Sequence, residues 1–209
     1  MVFPSVYQMF VEDLTTVRKQ HFWEYFSGAT LNSRWTQTNN SGTNTFAMSD
    51  EVDGGFKLTT ASGNSGAMCI NFNDKRQYSP TGSVAIIVGK SSYTNVYTDF
   101  GFSNNKQSSN SQSAFFRFTN QYGGGKIGFV TCGAGTTEDV ATSVDLSTDW
   151  FTMKIECKSS SVEGSINGVL ERTHSSQVPT EKLQPIVKHQ HSDTAARSCQ
   201  IKYMECYNT

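Results

Sequence analysis

The chain has 209 residues, room for one large domain or a domain with an appendage, and a formal net charge of −1. Only 17% of residues are charged and no basic run exceeds two residues, which excludes the concentrated Lys/Arg surface that nucleic acid requires. No apolar run approaches a membrane span, and a polarity supplied mainly by Ser, Thr, Asn, Gln and Gly excludes coiled coils and charged helical bundles.

Residues 1–20 read apart from the rest. Val6, Met9, Phe10, Leu14 and Val17 have the spacing of one helical face, with Pro4 near its start and Lys19 near its end. A short N-terminal arm or helix is therefore expected, packed on its own domain or on a neighbouring subunit. The stretch lacks a basic start followed by an apolar run, so no export signal is expected and the chain is expected to be made in the cytoplasm.

From Phe22 onward the patterning is β, and residues 21–209 are expected to form one domain. GFKLTT, SVAIIVGK, VYTDFGF, SAFFRFT and KIGFVTC read as strands, with the polar SNNKQSSNSQ as a loop between the third and fourth. In FTMKIECK, Phe151, Met153, Ile155 and Cys157 alternate with polar residues, the mark of a strand with one buried face. Asn167-Gly168 then predicts a tight hairpin within SVEGSINGVLERTH. VPTEKLQP has room for one helical turn between Pro179 and Pro185, and QIKYMECYN reads as the closing strand. Strands at this spacing, separated by Gly, Asn and Ser, predict an all-β antiparallel β-sandwich. The five cysteines are odd in number and lack a close C-x-x-C pair, so they are expected to be reduced thiols buried as small hydrophobes.

Three segments resemble the concanavalin-A-like, laminin-G-like jelly roll of lectins and glucanases. FWEYFSGATLNSRWTQT is similar to the aromatic opening of such domains, where a Gly-containing turn leads to a Trp. STDWFTMKIECKSSSVEGSINGVLE resembles the run in which a Trp precedes a strand and a hairpin. IKYMECYNT resembles the final strand that returns beside the N-terminal one. The resemblance implies a jelly-roll fold, which hosts lectins, glycosidases, lyases and structural modules alike.

Four stretches are candidates for chemistry. In DEVDGGFK, Glu51 and Asp53 match the first two acids of a Glu-x-Asp-x-x-Glu glucanase strand, but Gly54, Gly55, Phe56 and Lys57 follow where a third is needed. That stretch is expected to be a turn entering a strand, and the domain to lack the glucanase catalytic motif. In KHQHSD, His189, His191 and Asp193 alternate and would share a strand face, a weak metal candidate without a fourth ligand. GGGK at 123–126 lacks phosphate-loop spacing and is expected to be a hairpin turn. In VYTDFGF and SAFFRFT, burial of Phe100, Phe102, Phe116 and Phe118 would turn Tyr97, Asp99, Phe115 and Arg117 outward. If the two strands pair, aromatics and a planar ion pair share one face, a combination suited to sugars.

With no acid pair on one strand, the expectation is a non-enzymatic assembly protein that self-associates through its arm, such as a virion or surface-array subunit. It would need no cofactor and would display its face to a glycan or cell-surface receptor. A stand-alone lectin-like carbohydrate-binding module comes second and a polysaccharide-active enzyme third.

Overall fold

The structure, a computed structural model, describes residues 19–40, 43–49, 54–62, 66–91, 96–105, 111–191 and 195–209. Fifteen strands are described, all paired antiparallel, with no helix among the described residues. The first half supplies β1 (Lys19–Tyr25), β2 (Thr36–Asn39), β3 (Thr45–Met48), β4 (Phe56–Thr60), β5 (Ala67–Asn71), β6 (Ser83–Ser91), β7 (Val96–Ser103) and β8 (Ser113–Phe118). The second half supplies β9 (Lys126–Gly133), β10 (Thr136–Asp145), β11 (Phe151–Cys157), β12 (Val162–Ile166), β13 (Val169–His174), β14 (Gln184–His191) and β15 (Arg197–Asn208).

They form two sheets. An eight-stranded sheet runs β13-β12-β11-β6-β15-β4-β3, with β1 also paired to β15, and a seven-stranded sheet runs β10-β9-β8-β7-β14-β5-β2. The core lies between them and takes alternate residues from each: Ala85, Ile87, Met153, Ile155 and Ile201 from the larger, Ile70, Phe100, Phe116, Phe129 and Val187 from the smaller. Gly164 faces this core where a Cβ would stand 2.7 Å from the Phe129 ring, so only glycine lets that ring approach. The architecture is the concanavalin-A-like jelly-roll β-sandwich.

The expected strands all appear, and FTMKIECK becomes β11 with the expected register. Asn167 and Gly168 both take positive φ, 51° and 84°, the geometry of a tight primed hairpin. Ala134 and Gly135 (52° and 84°) turn β9 into β10 the same way, a turn with no obvious sequence signal. VPTEKLQP forms no helical turn. Instead Leu183 bridges Tyr78 and Gln184-Pro185 open β14, with Pro185 placed before the first residue that pairs with β5. The first strand begins at Lys19, two residues ahead of the expected domain start at 21, and residues 1–18 of the arm lie outside the described residues. All five cysteines are buried thiols outside any disulfide. Burial pushes the Cys157 thiol up to about 12, so it stays an inert, neutral core group.

Candidate functional site

The face of the seven-stranded sheet turned away from the core is built by the residues that alternate with core side chains. Directly opposite pairs carry one row across it: Thr38, Cys69, Lys188, Asp99, Arg117 and Gly128, from β2, β5, β14, β7, β8 and β9. With strands about 4.8 Å apart, the row spans roughly 24 Å. Beside Lys188 lies a shallow depression that Thr38, Ala67 and Cys69 also line.

The row centres on an ion pair. The Arg117 guanidinium donates from Nε to Asp99 Oδ1 at 2.8 Å and from Nη2 to Asp99 Oδ2 at 3.0 Å. Its third nitrogen, Nη1, stands 3.6 Å from Asp139 Oδ2, so one cation lies between two carboxylates from different strands. Burial opposes the charge on Arg117, but the field and hydrogen bonds of Asp99 outweigh it and hold the guanidinium above its ordinary pKa. The same group lies over two rings, 4.9 Å from the Phe115 centroid and 5.6 Å from that of Tyr97.

Tyr122 completes the cluster. It comes from the turn between β8 and β9, and its hydroxyl donates to Asp139 Oδ1. Its ring lies against Gly128, where an added Cβ would stand 2.1 Å from ring carbon Cζ, so any other residue at 128 displaces it. Burial, then the hydrogen bond and charge of Asp139, raise the Tyr122 pKa and keep the phenol a donor. Gln121 Nε2 donates to the Tyr97 hydroxyl from the same turn.

The four residues expected to share this face are thus brought together, with Asp99 directly opposite Arg117. Two of them are less open than alternation alone implied. Phe115 is 1% exposed, set beneath Arg117 in a row with Ile186 and Val130, and Asp99 is 3% exposed. Tyr97 and Arg117 remain partly exposed and Asp139 is exposed. Asp139 and Tyr122 were missed. Asp139 sits on an edge strand that has no buried alternate face, and Tyr122 sits in a turn. The usable signal was Gly128 in KIGFVTC, an outward glycine beside an aromatic turn.

The other candidate stretches take different places. His189 and His191 do share a face, but it is the interior one. His189 is fully buried with Nδ1 2.7 Å from Thr98 Oγ1, and burial depresses its pKa to about 4. Asp193 lies outside the described residues, and among these no three His, Cys, Asp or Glu side chains cluster to hold a metal ion. Glu51 and Asp53 also lie outside them. The residues that follow turn as expected, Gly54 and Gly55 with φ 72° and 136°, into β4 at Phe56. GGGK closes the β8–β9 hairpin, with Gly125 N donating to Tyr122 O.

No protein-family model matches the sequence, and no curated protein does. Solved structures do match the fold. A GH16 protein of the Bacteroides ovatus mixed linkage glucan PUL, in complex with a G4G4G3G product, superposes with a TM-score of 0.69 at 13% identity, covering 88% of this chain and 99% of that one. The Bacillus licheniformis β-glucanase gives 0.64 at 13%, covering 90% and 98%. A Shewanella oneidensis protein of unknown function gives 0.64 at 11%, covering 100% and 95%. At these identities the likeness establishes the jelly-roll fold.

These neighbours correct the expectation of a non-enzymatic virion or surface-array subunit. The two with a stated activity or product are glucan enzymes. The expectation rested on the absence of an acid pair along one strand, and alternation within a strand does not report carboxylates that meet from neighbouring strands. A sheet face can instead assemble its acids from different strands, as Asp99 and Asp139 assemble around Arg117.

Proposed function

We propose that the chain is a polysaccharide-active enzyme, a glycoside hydrolase whose β-glucan substrate lies across the outer face of the seven-stranded sheet. One observation carries the reading: Asp99 and Asp139 meet around Arg117 on that face, in a fold shared with glucanases. The row across six strands, along which Thr38, Lys188 and Arg117 are partly exposed, suits a polymer better than a small molecule, because it is extended and shallow rather than a closed pocket.

Glycoside hydrolysis needs one carboxyl group to protonate the leaving oxygen and a second, ionised, to meet the positive charge at the anomeric carbon. Asp139 suits the second role: its side chain is the more open of the two acids, 34% exposed against 4%, with the Arg117 cation 3.6 Å from Oδ2 and the Tyr122 hydroxyl donating to Oδ1. Asp99, with both oxygens held by Arg117, positions that guanidinium beneath the face rather than meeting the sugar.

The test is reducing-end release from a panel of mixed-linkage, β-1,3- and β-1,4-glucans. Wild type is expected to act on at least one, and Asp139→Asn to lose about 10²-fold or more of that rate. Release from none of them overturns the proposal, as does full activity in both Asp139→Asn and Asp99→Asn.

A further inference from the structure

The opposite side of the sandwich carries a second unusual surface. On the outer face of the eight-stranded sheet, Trp23 and Tyr25 are 58% and 46% exposed, at alternate positions of β1. Tyr25 packs on Tyr203, ring centroids 4.8 Å apart, and Trp23 lies 5.9 Å from Tyr25 at 70°. Tyr207 on β15 and Ile86 and Val88 on β6 continue the patch, all partly exposed. An apolar stripe of this size on a sheet face calls for a cover.

Its chemistry selects the cover. A sugar would need free polar groups between the rings, but the acid here, Glu205, is 2% exposed and already engaged. It accepts from the Tyr203 hydroxyl at 3.0 Å and lies 2.8 Å from His21 Nε2. The rings are also inclined rather than coplanar, by 70° between Trp23 and Tyr25 and 46° between Tyr25 and Tyr203, which leaves no flat platform for a pyranose. What remains on offer is apolar surface, and apolar side chains are what it fits.

We propose that residues 1–18 of the same chain cover this stripe, setting Val6, Met9, Phe10, Leu14 and Val17 against Trp23 and Tyr25. The segment joins the sheet at Lys19, the first residue of the strand that carries Trp23 and Tyr25. At that junction Gln20 takes a φ of 52° and the pairing register breaks between Lys19 and Phe22, a bulge that ends the regular ladder with β15. The lengths agree as well. Even wound as a helix, 18 residues reach about 27 Å, against about 23 Å for the seven residues of β1. The sequence also allows the arm to cover a second copy. Its tether decides for its own face, because a short linker sets a local concentration near millimolar, above that of another molecule in dilute solution.

The test uses the full chain and the double variant Phe10→Asp, Leu14→Asp. The Trp23 signal is isolated by subtracting the emission of the matching Trp23→Phe proteins, and acrylamide quenching is read at two protein concentrations. In the full chain Trp23 is expected to be shielded equally at both concentrations. In the double variant, with an unchanged β-sheet circular dichroism spectrum, quenching is expected to rise several-fold. Free quenching of Trp23 in the full chain, or no change in the variant, overturns the proposal. Shielding that grows with concentration alongside a dimer mass in light scattering overturns it too, by giving the face to a second copy. None of these readouts depends on glucan turnover.

Discussion

Arg117 grips both oxygens of Asp99 from the position directly opposite on the neighbouring strand, through hydrogen bonds of 2.8 and 3.0 Å. The pair is nearly shielded from water, with side chains 15% and 4% exposed, so neither charge has a solvent shell to fall back on. Removing one partner leaves the other ion buried. Arg117→Ala and Asp99→Ala are each expected to cost about 3–5 kcal/mol in urea unfolding, and Arg117→Met with Asp99→Leu to recover most of that loss. Additive losses in the double variant would show that the two groups do not act as a pair.

Met153 and Ile155 meet the core from β11, while Lys154 turns outward to Glu156 at 2.8 Å. Ile155→Ala is expected to cost about 2–5 kcal/mol and Lys154→Ala well under about 1 kcal/mol. Equal effects in thermal or chemical unfolding would contradict the register.

Much of this was legible. Period-two patterning placed Phe100, Phe102, Phe116 and Phe118 in the core, and that fixes Asp99 and Arg117 on the other face. Alternation tells which side a residue takes, but not what lies over it. Phe115 and Asp99 therefore read as open, although the long Arg117 side chain covers the ring and grips the acid. The same limit misplaced the histidines. His189 and His191 alternate with Lys188 and Gln190, and polar residues on both sides of β14 hid which face was interior. β10 was missed because TTEDVATSVD lies at a sheet edge and buries almost nothing, so it has no apolar rhythm to read. Asp139 went unseen with it.

The buried His189 makes stability depend on pH. Above about pH 6.5 the imidazole is neutral whether the chain is folded or unfolded. Between the ordinary value of 6.5 and the folded value of about 4, only the unfolded chain takes a proton. Stability is therefore lost as pH falls through that window, by about 3 kcal/mol for this one group. In His189→Gln the slope between pH 6.5 and 4 is expected to flatten. An unchanged slope would remove His189 as its source.

Gly128 and Tyr122 are coupled by contact. Gly128→Ala is expected to push the ring off Asp139 and to cost about 1–3 kcal/mol. Once Tyr122→Ala has removed the ring, the same change should cost less, so a double-mutant cycle returns a coupling above about 0.5 kcal/mol. A coupling near zero would mean that the ring does not rest on Gly128.

The proposed binding face is tested most directly by a nuclear magnetic resonance titration of the Arg117 Nε–H resonance with a mixed-linkage gluco-oligosaccharide. With its hydrogen on Asp99 Oδ1, that resonance reports on the centre of the polar row. Saturable shifts are expected for Arg117, Tyr97 and Tyr122, with none for Trp23 or Tyr25 on the opposite sheet. Shifts confined to the eight-stranded sheet, or none at saturating oligosaccharide, would contradict a glucan site on the seven-stranded face.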